Sequence, residues 1–272
     1  MANAFSGDAN CVALWRMESG ALTTDSKGTN TLTDNNTVGE DAVNYKEGAC
    51  SADFEFNNAE YLSILDTNLD AGFPLKNGDT DKNISVCAWF RGESFSGSSY
   101  VWNTIFQKFY LNGSNEQSFV FGIYTEPTTL HHHLGISLGF NGGSSEELQL
   151  HATDLTAQTG VWYHATATYQ NSDKSFSLRL RDANGNVVGA DVEGTATLDA
   201  NKLNVETAPV FIGACYSLIV RYYFDGLLDE VVVFKDVITS GEATQIALGT
   251  YGAAGGLLIN VHDCGDVVAI PA

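Results

Sequence analysis

From Val161 to Tyr169 the sequence VWYHATATY alternates with a period of two. Tyr163, Ala165, Ala167 and Tyr169 fall on one face of an extended strand, and Trp162, His164, Thr166 and Thr168 on the other. A polar turn leads into SFSLRLR (175–181), a second strand of the same kind. Between SFSLRLR and VVGADV, the segment Asp182 to Asn186 contains Asn-Gly, a hairpin signal. The stretch from Phe224 to Ile246 then reads as a turn, a strand and a short helix. Thr239 and Glu242 form a capping box there, and Ile238 is placed to staple against Ala243. This order of elements requires a fold made of paired strands.

Strand-like runs recur along the chain: CVALW (11–15), SADFEF (51–56), ISVCAWF (84–90), TIFQKF (104–109), SFVFGIY (118–124), LGISLGF (134–140), ELQLHA (147–152), PVFIGA (209–214) and LLDEVVVF (227–234). With 27 glycines, many Asn/Asp turns and almost no helical periodicity, they predict an all-β sandwich or barrel. A domain of 11–250 is expected, with an N-terminal segment (1–10) before it. After a Gly/Ala joint, residues 251–272 read either as an extra edge strand or as an arm that adds to a neighbouring subunit's sheet.

The net charge of −20 opposes binding to nucleic acid or anionic lipid, and suits cations and neutral ligands. No apolar stretch is long enough to cross a membrane, and the start lacks the basic and apolar regions of a signal peptide. Synthesis in the cytoplasm is expected, with a virion or an exposed surface as destination. The cysteines at 11, 50, 87, 215 and 264 are odd in number and lack CxxC pairs, and are read as reduced.

In order along the chain, several segments resemble the laminin-G-like, concanavalin A-like lectin/glucanase family. They are Trp15–Gly20 with Asp25–Asn30, then Gly48, Ala52, Phe54 and Tyr61–Ile64, then the Ala88–Trp89 pair. Trp162–Tyr169 and Phe224–Val231 with the capped helix complete the set. The resemblance implies a jelly-roll sandwich of two antiparallel sheets with one short C-terminal helix. It also implies a structural Ca²⁺ held by Glu18, Asp25, Asn30 and Asp229, residues that supply the oxygen ligands a hard cation needs. Such sandwiches usually bind or assemble.

Sugar recognition uses aromatic platforms among polar side chains. Residues Ser94 to Gln117 have that composition, with Tyr100, Trp102 and Tyr110; Tyr124, Tyr216 and Tyr222 are further candidates. The G-x-S-x-G string from Gly135 to Gly139 lacks the strand–turn–helix context of a nucleophile, and no paired-carboxylate hydrolase strand is present, so no enzyme is expected. His131–His133 and Asp79–Asn83 read as exposed turn or edge residues, and His164 as a core histidine. In Val231–Phe234 both alternating positions are apolar, so another part of the fold, or a partner, must cover the outer face. Two functions follow: glycan or surface recognition, and self-assembly as a phage decoration or tail-associated subunit.

Overall fold

The computed structural model describes residues 3–95, 101–111, 115–125, 132–139, 158–196, 203–205, 207–216 and 221–252. Its strands are β1 (Cys11–Trp15), β2 (Thr33–Asn35), β3 (Gly39–Asp41), β4 (Ser51–Phe54), β5 (Tyr61–Ile64), β6 (Ile84–Gly92), β7 (Val101–Leu111) and β8 (Asn115–Thr125). They continue with β9 (His132–Leu138), β10 (Tyr163–Gln170), β11 (Ser175–Arg181), β12 (Val192–Thr195), β13 (Val210–Ile212), β14 (Ala214–Tyr216), β15 (Arg221–Tyr223) and β16 (Gly226–Phe234). Helix α1 (Ser240–Ala247) follows.

Among the described residues the first sheet has the order β12-β11-β10-β6-β16-β4-β3, with β1 also pairing with β16. The second has the order β2-β5-β13-β7-β8-β9, and β14 with β15 forms a small ribbon. The pairings are antiparallel. The fold is the expected concanavalin A-like sandwich.

The alternation in β10 decides what faces the interior. Tyr163, Ala165, Ala167 and Tyr169 enter the main core, with Val86, Ala88 and Phe90 of β6 and Val231 and Val233 of β16. Leu62, Ile64, Val210, Ile212, Phe119 and Phe121 of the second sheet join the same core. Each such large side chain, once buried, contributes about 1.5–3 kcal/mol.

The outer face of β16 is covered by the chain itself. Val232 and Phe234 pack in a second cluster with Phe5, Ile238, Ala243, Ile246 and Tyr251. The rings of Phe5, Phe234 and Tyr251 lie 5.4–6.0 Å apart, centre to centre. This corrects the expectation that a partner could dock on the outer face of 231–234: Val232 and Phe234 expose nothing. Tyr251, read from sequence as the first residue of the tail, belongs to this packing; residues 253–272 lie outside the described residues. Helix α1 begins as expected, with Thr239 and Glu242 forming a reciprocal capping box.

The strand expected at 104–109 is present and extends further into the Ser94–Gln117 stretch, for β7 and β8 are the longest hairpin of the second sheet. Register shifts between Thr104 and Phe106 and between Lys108 and Phe109 break the alternation that would have marked it. A buried ion pair closes the loop region beneath β7: Lys108 Nζ donates to Asp66 Oδ1 at 2.8 Å and to the Ala208 carbonyl at 2.8 Å. Cys11, Cys50, Cys87 and Cys215 are buried, and Cys264 lies outside the described residues.

Candidate functional site

Strand β16 shifts register between Asp229 and Val232, and Glu230 adopts φ +48° at the bulge. Leu228 and Val231 still enter the core, so two acids stand between them outside it. Asp229 is fully buried. Its Oδ2 accepts the Lys46 and Glu47 N–H groups at 2.8 and 3.0 Å, while Oδ1 is buried without a hydrogen-bond partner. Burial pushes its pKa up to about 7, opposed by those backbone donors and assisted by the charge of Glu18. Glu230, paired with Arg16 at 2.9 Å, is raised to about 8, again by burial first. Glu18 Oε2 accepts the Ala49 N–H at 3.1 Å. Glu18 and Asp229 therefore hold the same loop, 46–49, by its backbone donors.

The four residues assigned to calcium divide into two groups. Asp25 accepts N–H groups from Leu14, Lys27 and Asn30 and the Asn30 side-chain amide. Asn30 also donates to Asp70 Oδ2 at 3.1 Å, and its Oδ1 accepts the Asp70 N–H at 2.8 Å. Asp25 and Asn30 are thus occupied in building the first loop, together with Asp70, a residue the sequence reading passed over.

Asp229, Trp89, His164 and Arg181 are successive cross-strand neighbours over β16, β6, β10 and β11. The Trp89 and His164 rings meet edge-on at 5.2 Å, and the Lys46 ammonium sits 4.2 Å from the Trp89 ring centre. His164 is buried, and burial with Arg181 and Lys46 holds its pKa down to about 3. It is buried, as expected of a structural histidine, on the face of β10 opposite the main core.

Of the aromatic residues assigned to ligand binding, the described Trp102, Tyr124 and Tyr222 pack together. Trp102 and Tyr124 are buried against each other, ring centres 5.5 Å apart, and the indole of Trp102 lies close over Gly135. Tyr222 packs on this pair. Tyr100 lies outside the described residues, as do the side chains of Tyr110 and Tyr216. Ser137 of the G-x-S-x-G string is mid-strand in β9, as expected. Asp79 is a turn builder, accepting N–H groups from Leu75, Asp81 and Lys82. His131 is outside the described residues, and the ring of His132 lies 4.8 Å from that of Phe95.

A different aromatic cluster is open at one end, with Tyr61 half-buried and Tyr223 and Phe211 buried behind it. Phe56 is 41% exposed, and its ring lies 6.3 Å from that of Tyr223. Tyr61 lies 6.2 Å from Tyr223 and 5.4 Å from Phe211. Asn35 donates to Ser63 Oγ at 2.9 Å across β2 and β5, placing amide and hydroxyl beside Tyr61. Asn36, at φ +69°, donates to the Ala59 carbonyl and so fixes the Phe56 turn; Thr37 follows at φ +70°, a strained value for a β-branched residue. On the other flank Asp53, Glu55 and Glu93 each offer a carboxylate oxygen, all within 4.8 Å of one another. Asp225 joins this rim, accepting the Phe56 N–H at 3.2 Å. The face draws on segments nearly 170 residues apart in the chain, which is why the sequence did not reveal it.

A family model described as the concanavalin A-like lectin/glucanases superfamily matches residues 66–244. The chain belongs to that family. Among solved structures of this lectin/glucanase fold, domain 4 of AbnA is similar; AbnA is an extracellular GH43 arabinanase from Geobacillus stearothermophilus, and the domain was solved with arabinotriose. The identity is 15% and the TM-score 0.59, over 88% of this chain and 98% of that one. The binding domain of botulinum neurotoxin serotype D/C is 10% identical at TM-score 0.60, over 89% of this chain and 53% of that one. Tailspike protein 2 of Escherichia coli O157:H7 bacteriophage CAB120 is 14% identical at TM-score 0.55, over 78% of this chain and 26% of that one. At these identities the likeness is one of fold. No curated protein matches the chain in sequence.

Proposed function

We propose that this lectin/glucanase-family sandwich is a non-catalytic recognition protein that binds glycan at the exposed Phe56 ring and the half-buried Tyr61, with the buried Tyr223 and Phe211 packed beneath them. The carrying observation is the exposed Phe56 ring at the end of a chain of contacting aromatics, with Asn35 and Ser63 alongside. Sugars stack their apolar faces on such rings and exchange hydrogen bonds with neighbouring amides and hydroxyls. The arabinotriose complex of the similar arabinanase domain supports the ligand class. A glycan array of the wild type beside Phe56→Ala tests the reading: signals that vanish in the variant are expected, and signals equal in both would overturn it. Release of shorter sugars from a bound glycan would overturn the non-catalytic part.

We propose further that the structural Ca²⁺ expected at Glu18, Asp25, Asn30 and Asp229 would be held by Glu18 and Asp229. The unpartnered, buried Asp229 Oδ1 is the observation for it, since a buried carboxylate oxygen without a partner is costly unless a cation or donor meets it. Its service would be to hold loop 46–49.

A second reading, a virion surface subunit, is supported by the fold shared with the phage tailspike. None of the described helices is long and apolar enough to cross a membrane. Residues 253–272 would serve as the assembly arm. Light scattering tests it by comparing the full chain with one ending at Gly252: a full chain that is already monomeric would contradict it. The two readings are compatible.

A further inference from the structure

We infer that the loop after β5 holds a second sugar site, a cavity that takes one neutral sugar unit away from the Phe56 ring. The cavity measures about 380 Å³, at the small end of the range for ligand pockets, and residues 71–73 and 76–80 line it. Its opening is clear, since a Cβ at Gly72 or Gly78 would meet nothing within 4 Å. Phe56 precedes β5 and Asp66 follows it. Asp66 Oδ1 accepts the Asn77 N–H at 3.1 Å, so the cavity lies at the other end of that strand. It is a separate site and does not depend on the Phe56 one.

The loop is stitched in advance of any ligand. Asp79 Oδ2 accepts the Leu75 and Lys82 N–H groups at 2.8 and 3.2 Å, and its Oδ1 accepts that of Asp81 at 3.0 Å. The Lys76 ammonium donates to the Leu69 carbonyl. Leu75 and Lys82 adopt φ +61° and +55°, and Gly72 and Gly78 +95° and +92°, so these bonds hold a wall of left-handed turns in place. A ligand entering such a loop pays little to order it. The two charged side chains of the lining, Lys76 and Asp79, are engaged by the chain's own carbonyl and amide groups. The Asn77 amide and the Thr80 hydroxyl take part in none of these bonds, and both residues are exposed. An amide and a hydroxyl each donate and accept, which matches the hydroxyls of a sugar. A carboxylate or ammonium on the sugar would find its counter-charge already occupied.

The test is amide-resolved NMR of the full chain, with glucose, galactose, xylose and arabinose as probes and glucuronate as the charged control. At least one neutral sugar is expected to shift the amides of Asn77, Gly78 and Thr80 saturably, and Phe56→Ala should leave those shifts as they are. Asn77→Ala combined with Thr80→Ala should weaken that binding roughly tenfold or more, through the lost hydrogen bonds. Both positions are exposed and the Asn77 N–H stays available to Asp66, so the rest of the spectrum should keep its wild-type form. Ala71→Trp, which fills the cavity from its lining, should abolish the shifts. Shifts absent from this loop, or rising without saturation, would overturn the inference. Shifts confined to the surroundings of Phe56 would overturn it while supporting the Phe56 reading. Equal affinity in the wild type and the double variant would also overturn it, as would glucuronate binding tighter than every neutral sugar. Loss of the Asn77 shifts in Phe56→Ala would merge the two sites and overturn their separation.

Discussion

The carboxylate of Glu18 fills the space that a side chain at Gly48 would need: a Cβ on residue 48 would lie 1.4 Å from Glu18 Oε1. Gly48 also has φ +67°, where L-residues are strained. Gly48→Ala is therefore expected to cost about 2 kcal/mol or more and to displace Glu18. Chemical denaturation gives the stability, and calcium titration of the same variant should show weakened binding. A variant as stable and as calcium-responsive as the wild type would refute the placement of Glu18.

Asp229 and Glu230 set a dependence on pH. Both pKa values are raised, to about 7 and about 8, so the cation-free fold holds their protons more tightly than the unfolded chain does. Their contribution is present below the ordinary carboxylate range and is lost as pH climbs from about 4 to about 8. Calcium requires the ionised form of Asp229, so the rise in Tm on adding calcium should grow over that interval. Thermal melts in chelator and in calcium, at several pH values, measure it. A calcium effect independent of pH would contradict the assignment.

Asp66 and Lys108 form a buried pair in which one partner cannot be spared. Asp66→Asn keeps an oxygen for the Asn77 N–H but removes the negative charge beside Lys108. The expected loss is about 3–5 kcal/mol, and Asp66→Asn combined with Lys108→Met should recover much of it. Urea unfolding of the two variants distinguishes this from a general packing defect.

Phe234→Ala tests the cover over β16. It would open a cavity among Phe5, Tyr251 and α1, for about 3–5 kcal/mol. Light scattering should show no change in the size of the folded protein, because the chain's own ends bury this face.

What the sequence disclosed was local. The two faces of β10, the Asp182–Asn186 hairpin and the Thr239–Glu242 box each arise from neighbours a few residues apart, and all three stand as read. Both strands of the β7–β8 hairpin were read in part, as 104–109 and 118–124, but their full length was not, because bulges break the period of two and the flanking composition is that of a loop. Strands β2 and β3 have three residues each, too few for any period. The site was less legible still. Trp102 and Tyr124 have the right chemistry for sugar, but their exposure depends on what lies across the sheet. Phe56, Tyr61 and Tyr223 meet only when the turn after β4, β5 and β15 are brought together. Asp229 was chosen through a family motif, and the structure adds its unpartnered oxygen.

Phe56 heads the proposed glycan-binding site. Its most direct test is the calorimetric affinity of the strongest glycan from an array, measured for the wild type and for Phe56→Ala at equal calcium. A loss of roughly tenfold, about 1.4 kcal/mol, is expected in a variant that melts near the wild-type temperature. An affinity unchanged by Phe56→Ala would contradict it.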